Sequence, residues 1–145
     1  MTGLALRRLA AYAWAGPTSL LGLCLVPLAL VGRGRARLVD GVMELHGPAI
    51  DYLLRHAVPL ADGAAAVTLG HVVLGRDEAC LDRCRDHERV HVRQCERWGP
   101  LFIPAYLSAS LWMALRGRDP YRDNPFEREA FGTLPSSSSP SPNVG

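Results

Sequence analysis

Residues 77 to 97 read DEACLDRCRDHERVHVRQCER and decide how the chain is organised. The stretch contains neither glycine nor proline, and Trp98-Gly99-Pro100 follows it directly. Asp77 is suited to cap the start of a helix, and Glu78 suits the positive end of the helix dipole. The sequence therefore predicts one long helix with a sharp stop after it.

Within this helix, the segment from His87 to His91 matches the pattern H-E-x-x-H. Residues four apart lie on one helix face, so the two imidazoles can bind one Zn²⁺ ion. Glu88 lies close enough to that face to hold a metal-bound water and to accept its proton. The pattern predicts His87 and His91 as metal ligands and Glu88 as the general base. The alternative is a solvated helix on which the histidines align by chance.

The motif resembles that of the zincin metallopeptidases, and specifically the gluzincins, in which a downstream helix supplies a glutamate as third zinc ligand. Residues 124 to 130, NPFEREA, are similar to the E-x-E-A segment of several small bacterial gluzincins. The resemblance implies Glu127 as the third ligand, with Glu129 as the rival, because residues two apart on a helix point to different faces. It covers about residues 64 to 132.

The sequence departs from this family at the supporting residues. Many gluzincins carry an aspartate four positions after the third ligand, where it supports a zinc histidine, but position 131 here is phenylalanine. We therefore expect Asp123 or Glu129 to provide that carboxylate, unless it is missing. Tyr106 and Tyr121 are candidates to stabilise a tetrahedral oxyanion, although each could equally be an ordinary packed tyrosine.

Residues 64 to 75, AAAVTLGHVVLG, are rich in β-branched side chains and predict a strand before the helix. Gly70 interrupts it, which indicates a bulge or a close backbone approach. The resemblance implies that residues 66 to 74 form an edge strand that pairs with an extended substrate backbone. We expect His71, inside this strand, to be a surface or structural histidine.

Two long runs lack charged side chains. Residues 9 to 32 exceed the roughly 20 residues that a helix needs to cross a bilayer, so they predict a membrane anchor with kinks at Gly16-Pro17 and Pro27. A cleaved signal peptide and a packed soluble segment are the alternatives. Residues 101 to 115 are short for a span, so we expect a buried core helix that forms the floor of the site.

Composition limits the chemistry. The 16 basic residues are all arginine, so mechanisms that need lysine, such as Schiff-base formation, are excluded. The net charge near +2 does not favour a nucleic-acid partner. We expect the helix arginines to form a solvated face. Cys80, Cys84 and Cys95 lie on the motif helix and are expected to be reduced thiols packed toward the core, with a structural metal site as the alternative.

Together these patterns predict an α+β chain of 145 residues. Residues 1 to 38 form a hydrophobic N-terminal helix and membrane anchor. Residues 39 to 134 form a minimal zincin-like domain with an active-site helix, an edge strand and a downstream Glu-bearing helix, and residues 135 to 145 are a disordered Ser/Pro tail. The predicted function is zinc-dependent hydrolysis of a peptide or protein substrate at a membrane, with the cytoplasm as alternative location. A non-catalytic zinc-binding module and a two-span membrane protein with incidental histidines are the alternative functions.

Overall fold

The computed structural model describes residues 3 to 60 and 62 to 132, and these form an α+β fold in which helices surround one four-stranded sheet. The tail expected at residues 135 to 145 lies outside this range. The elements run in the order α1 Gly3–Trp14, α2 Gly16–Leu23, α3 Val26–Leu30, β1 Arg35–Val39, β2 Val42–His46, α4 Pro48–His56, β3 Ala66–Leu69, β4 Val72–Gly75, α5 Glu78–Trp98, a 3-10 turn Gly99–Leu101, α6 Phe102–Leu115 and α7 Pro125–Gly132.

The sheet has the strand order β1-β2-β4-β3, with β2 and β4 parallel and the outer pairs antiparallel. The single interrupted strand expected at residues 64 to 75 is therefore wrong, because the chain folds back at Gly70 and His71 to make the β3–β4 hairpin. The close backbone approach expected at Gly70 is present, since a side chain there would collide with the backbone of Ser19. Of the edge strand expected at residues 66 to 74, only β3 lies at an edge of the sheet, whereas β4 is an inner strand between β2 and β3.

Helix α5 begins and ends as predicted. Asp77 caps it by accepting a 2.7 Å hydrogen bond from the backbone nitrogen of Cys80. The helix stops at Gly99, which has a positive φ of 57° and lies against the ring of Trp14. Its apolar face buries Leu81 and Val92 against one side of the sheet. This packing fixes the position of the H-E-x-x-H motif over β3 and β4.

Helices α2 to α4 contribute to the core on the opposite side of the sheet, where Ala29 and Ile50 pack against Leu45 and Val72. No single helix in residues 3–60 and 62–132 is both long and apolar enough to cross a membrane. α1 and the segment from Gly16 to Leu30 are long and apolar enough to cross a membrane only when they are taken together, and they are bent by 61° relative to each other. The predicted breaks in the first apolar run are present, whereas membrane anchoring and the domain boundary at residue 38 stay predictions.

Helix α6 differs from its prediction as a buried core helix. Phe102 is its one buried residue, and most of its large apolar side chains are exposed. The helix is apolar on all sides, but only one stripe of it, which includes Ile103, Tyr106 and Ala109, packs against buried residues. These buried residues are Ala15, Cys95, Phe102 and Phe126, and we call them the aromatic cluster. The expectation failed because the shortness of an apolar run argues against a membrane span without implying burial.

Candidate metal centre

Three side chains from two helices converge beside the sheet. His87 and His91 come from α5, and Glu127 comes from α7. The two Nε2 atoms are 3.1 Å apart, while Glu127 places Oε2 3.0 Å from His87 and Oε1 3.3 Å from His91. Ligands about 2.0–2.1 Å from a tetrahedral zinc ion lie about 3.3 Å from one another. These distances are close to that spacing, although they involve different oxygens of Glu127, and the three side chains together form a group that can hold a metal ion.

Glu127 is the charged group at the centre of this cluster. Burial opposes its ionisation, but hydrogen bonding to His87 and His91 outweighs burial and lowers the pKa of Glu127 to about 2. Oε2 of Glu127 is buried, and Nε2 of His87 lies 3.0 Å from it at an angle that is poor for a hydrogen bond, so this oxygen has no well-formed hydrogen bond among the residues that the structure describes. A buried, anionic carboxylate beside two imidazoles is a donor set suited to a divalent metal.

Gln94 fixes the orientation of His91. Its side-chain nitrogen donates to the Phe126 carbonyl at 3.0 Å and to Glu129 Oε2 at 2.9 Å. The amide oxygen of Gln94 is thus the atom that faces Nδ1 of His91, at 2.9 Å, and it accepts the Nδ1 proton. His91 therefore directs Nε2 at the cluster, and its neutral form with the proton on Nδ1 is the tautomer that a metal ligand requires.

Glu129 and Asp123 do not lie among the ligand atoms. Glu129 points to Gln94 and Arg97, so the structure brings Glu127 rather than its rival to the histidines. Glu129 supports His91 only through Gln94, while Asp123 accepts a hydrogen bond from the backbone of Asp119. Gln94 had not been predicted for this role. The signal was its position three residues after His91, which places both side chains on one helix face.

Glu88 points from α5 toward the edge strand. Its Oε2 accepts a 2.7 Å hydrogen bond from Oγ1 of Thr68 on β3. Burial raises the pKa of Glu88, and the charge of His91 and the Thr68 hydrogen bond oppose this rise. The edge strand thus holds the predicted general base, a role for Thr68 that the sequence had not indicated.

The two candidate tyrosines differ in their contacts. Tyr106 donates a 2.5 Å hydrogen bond to Oε1 of Glu127, so it binds the third ligand directly. Tyr121 packs edge-on against Phe131, and burial, followed by the charge of Glu127, raises its pKa. Their predicted role in stabilising an oxyanion stays a prediction, but both lie at the cluster.

His71 and the cysteines lie outside the ligand set. His71 is buried, stacks on Tyr12 with ring centroids 3.9 Å apart and contacts Oε1 of Glu96 at 3.0 Å, as expected for a structural histidine. The cysteines on α5 are free thiols, with Cys80 and Cys95 buried and Cys84 half-buried. Burial raises the pKa of Cys95 to about 11, which keeps it protonated.

Two helix arginines do not form the solvated face that was expected. Arg85 binds both carboxylate oxygens of Glu44 on β2, at 2.9 and 3.1 Å. Arg37 on β1 binds the same carboxylate at 2.8 Å. Arg89 donates a 2.7 Å hydrogen bond to the Val39 carbonyl. The expectation is wrong for Arg85 and Arg89 because both attach α5 to the sheet.

No protein-family profile, curated protein or solved structure matches this chain. Inference about its function therefore depends on the geometry of the site.

Proposed function

We propose that this chain is a zinc-dependent peptidase of the gluzincin type, with His87, His91 and Glu127 as ligands and Glu88 as general base. The convergence of two imidazoles and one buried carboxylate carries the proposal, because three protein ligands of these types plus a water are the donor set of a catalytic zinc site. A bound zinc ion would supply a Lewis acid that lowers the pKa of water and polarises a carbonyl group.

The residues around the ligands divide the remaining work. Glu88 accepts the proton of the attacking water and passes it to the leaving amine, a role that a raised carboxyl pKa favours. Thr68 orients the Glu88 carboxylate, and Gln94 keeps the His91 nitrogen directed at the metal. Tyr106 holds one oxygen of Glu127.

The edge strand offers a place for the substrate. β3 pairs with β4 on one side, and in the described part of the sheet no strand pairs with its other side. An extended peptide can add to such an edge through backbone hydrogen bonds. Thr68 lies on this strand and contacts Glu88, so a peptide bound there would lie beside the general base.

We also propose that residues 9 to 32 associate with a membrane. Leu20, Leu21 and Leu30 are exposed although they are large and apolar. The bent pair of helices that contains them has the length and composition of a broken membrane segment.

Zinc analysis tests the ligand assignment. Purified wild-type protein should hold one zinc ion per chain, and the His87→Ala/His91→Ala variant should lose it. His46→Ala/His56→Ala is the matched control, because it removes two histidines outside the cluster and should keep the metal. Zinc retained in the first variant, or absent from the wild type, would contradict the proposal.

Hydrolysis of a peptide library tests the catalytic step separately. Glu88→Gln should keep zinc and lose hydrolysis, since an amide cannot accept the proton of water. Cleavage by Glu88→Gln at the wild-type rate would disprove the role of Glu88. A zinc-loaded wild type that cleaves no peptide would instead identify a non-catalytic zinc-binding module.

A further inference from the structure

Helix α6 has far more apolar surface than its contacts use. Leu107, Leu111, Trp112 and Leu115 are 57%, 60%, 51% and 73% exposed. A helix that is apolar on all sides belongs in a protein core or in a lipid environment. The fold covers only the stripe that faces the aromatic cluster, so the remaining faces lack a partner within the described residues.

This surface continues onto the N-terminal helices. Trp14, at the end of α1, packs against Gly99 in the turn that leads into α6. Thr18 on α2 hydrogen-bonds the carbonyl of the same glycine at 3.4 Å. Leu101 in this turn is exposed, as are Leu20 and Leu21 on α2. α1 and α2 therefore meet the start of α6 at the Gly99 turn, and α3 follows α2 along the chain. We refer to the exposed apolar side chains of α6 and α1–α3 together as the apolar surface.

The charged side chains within the segments that carry the apolar surface have one sign, although Asp40 and Glu96 lie beside Arg8 on α1. Residues 1 to 39 and 98 to 118 contain no aspartate or glutamate. The exposed arginines of these segments lie near the helix ends or on α1: Arg7, Arg8, Arg33, Arg35, Arg116 and Arg118. The Arg116 guanidinium lies 4.4 Å from the centre of the Trp112 ring, which joins a cation to an interfacial aromatic side chain.

We propose that α6, together with α1–α3, docks on a bilayer surface that carries anionic phospholipid headgroups. The apolar side chains would enter the headgroup–acyl boundary while the arginines bind phosphate. With 14 residues α6 is too short to cross the bilayer, so it lies in the plane of the interface. The inference extends the membrane association proposed for residues 9 to 32 to a second segment, and it is independent of zinc binding.

Docking through α6 would also place the candidate metal centre close to the bilayer. The inner stripe of α6 carries Tyr106, whose hydroxyl binds Glu127. A helix with side chains is about 10–12 Å across. The metal centre would therefore lie about one helix diameter from the bilayer, within reach of peptide segments that leave the membrane surface.

Vesicle binding by the full chain tests the inference. Wild-type protein should bind vesicles that contain phosphatidylglycerol more tightly than vesicles of phosphatidylcholine alone. Leu111→Gln/Trp112→Gln should weaken binding to both by at least about tenfold, since each apolar side chain contributes on the order of that factor when buried. Tyr52→Gln is the control, because Tyr52 is 66% exposed on α4, a helix that is not part of the apolar surface.

Two further variants separate the contribution of the arginines from that of the N-terminal helices. Arg116→Gln/Arg118→Gln should lower affinity for the anionic vesicles by about 30-fold, with little effect on the neutral ones. Leu20→Gln/Leu21→Gln reports on the N-terminal helices. The urea-unfolding transition of each variant shows whether the fold is retained, and it is read independently of lipid binding and of zinc.

The outcomes distinguish a lipid bilayer from a second copy of the chain as the partner of the apolar surface. If the α6 variant binds vesicles as the wild type does while Leu20→Gln/Leu21→Gln loses binding, the inference about α6 fails and the membrane association of residues 9 to 32 stands. If the wild type ignores vesicles and self-associates until Leu111 and Trp112 are changed, a second copy of the chain is the occupant and the proposal is overturned. Loss of vesicle binding in the α6 variant, with normal binding by Tyr52→Gln, supports it.

Discussion

Two buried carboxylates, Glu44 and Glu127, lie against the same helix, α5, and have very different partners. Glu44 is 2% exposed, and Arg37 and Arg85 bind both of its oxygens. Glu127 is 3% exposed and faces two imidazoles and one tyrosine hydroxyl. The first cluster joins the sheet to the helix, whereas the second joins the helix to α7.

The difference between the clusters is whether the partners can release a proton. An arginine stays charged at any pH that a protein tolerates, so the Glu44 cluster is complete without further groups. An imidazole titrates near neutral pH and its neutral form binds metals, so His87 and His91 can exchange a proton for an ion. A buried carboxylate among arginines is therefore structural, while one among histidines can be part of a binding site.

The sheet connects the two clusters. Glu44 on β2 pairs with Val73 on β4, and Val73 pairs with Thr68 on β3. These residues form one row across the sheet face that packs against α5. One end of the row binds Arg85, and the other end binds Glu88. The ion cluster thus holds α5 in register with the strand that orients the proposed general base.

The largest expected difference between the clusters is their response to zinc. If zinc binds only the folded state, a thousandfold excess over its Kd should raise the free energy of unfolding by about 4 kcal/mol. Glu127→Gln should abolish most of this increase, while Glu44→Gln should retain it. Denaturant unfolding with zinc or with a chelator measures both. An equal zinc response in both variants would remove the distinction between the clusters.

The next effect concerns stability without metal. Glu44→Gln should lower the free energy of unfolding by about 3 kcal/mol, because it leaves Arg37 and Arg85 without their shared buried anion. The zinc affinity of the folded variant should stay close to that of the wild type. Chelator-treated protein in urea gives the stability, and zinc titration gives the affinity. A weaker zinc affinity in Glu44→Gln would show that the row across the sheet couples the two clusters.

The sequence predicted those helices and strands whose ends are set by residues next to them in the chain. The N-cap Asp77 and the stop at Gly99 defined α5, and the spacing of His87 and His91 defined two members of the site. The β1–β2 hairpin also has a local sequence signal, the dipeptide Asp40-Gly41, which forms its turn with positive φ at both residues. The hairpin was not predicted. In such regions the chain's own dihedral preferences determine the structure.

Contacts between distant segments were not predictable in the same way. Thr68 binds Glu88 across 20 residues, and Gln94 reaches Phe126 across 32 residues. The sequence marks neither pair, because no periodicity relates positions on different elements. The choice of Glu127 over Glu129 followed from the family resemblance rather than from spacing, and the structure gives the reason, since Glu129 faces Gln94 and Arg97.

The acid range offers a smaller test of the metal-free site. The pKa of Glu127 is about 2 in the folded chain, compared with an ordinary value of 4.5. Its ionised form therefore stabilises the fold above about pH 4.5, and this contribution, on the order of 2 kcal/mol, is lost as the pH falls toward 2. His91 has the opposite sign, because its pKa is raised. Its contribution is complete below its ordinary value of 6.5 and is lost as the pH rises through the folded value.

Chelator-treated protein, unfolded with urea at about pH 6 and about pH 3, measures this effect. Glu127→Gln should lose less stability between these two pH values than the wild type does. The Glu44 carboxylate also has a lowered pKa, since its hydrogen bonds to Arg85 and Arg37 outweigh burial, so the wild type and Glu127→Gln share that part of the acid response. An unchanged acid response in Glu127→Gln would contradict the pairing of Glu127 with the histidines.

The smallest expected effect comes from the residue that orients a ligand without touching the metal. Gln94→Leu should weaken zinc binding by about tenfold, near the lower end of the range for such supporting contacts. The reason is that Nδ1 of His91 loses its acceptor, so the ring can rotate and present either nitrogen. Gln94→Glu should also weaken binding, although it keeps an acceptor for Nδ1, because its second oxygen would face the Phe126 carbonyl and Oε2 of Glu129, which accept hydrogen bonds from the amide nitrogen in the wild type.

Arg97→Gln is the matched control for Gln94, since it removes the other hydrogen-bond donor to Glu129 at the exposed end of the same network. An exposed ion pair contributes less than about 1 kcal/mol, so this variant should leave zinc affinity unchanged within twofold. If Gln94→Leu and Arg97→Gln both bind zinc as the wild type does, His91 does not depend on the amide for its orientation. If both variants weaken zinc binding equally, Glu129 rather than Gln94 sets the orientation of His91. The Glu127 cluster would then depend on an arginine contact, as the Glu44 cluster does.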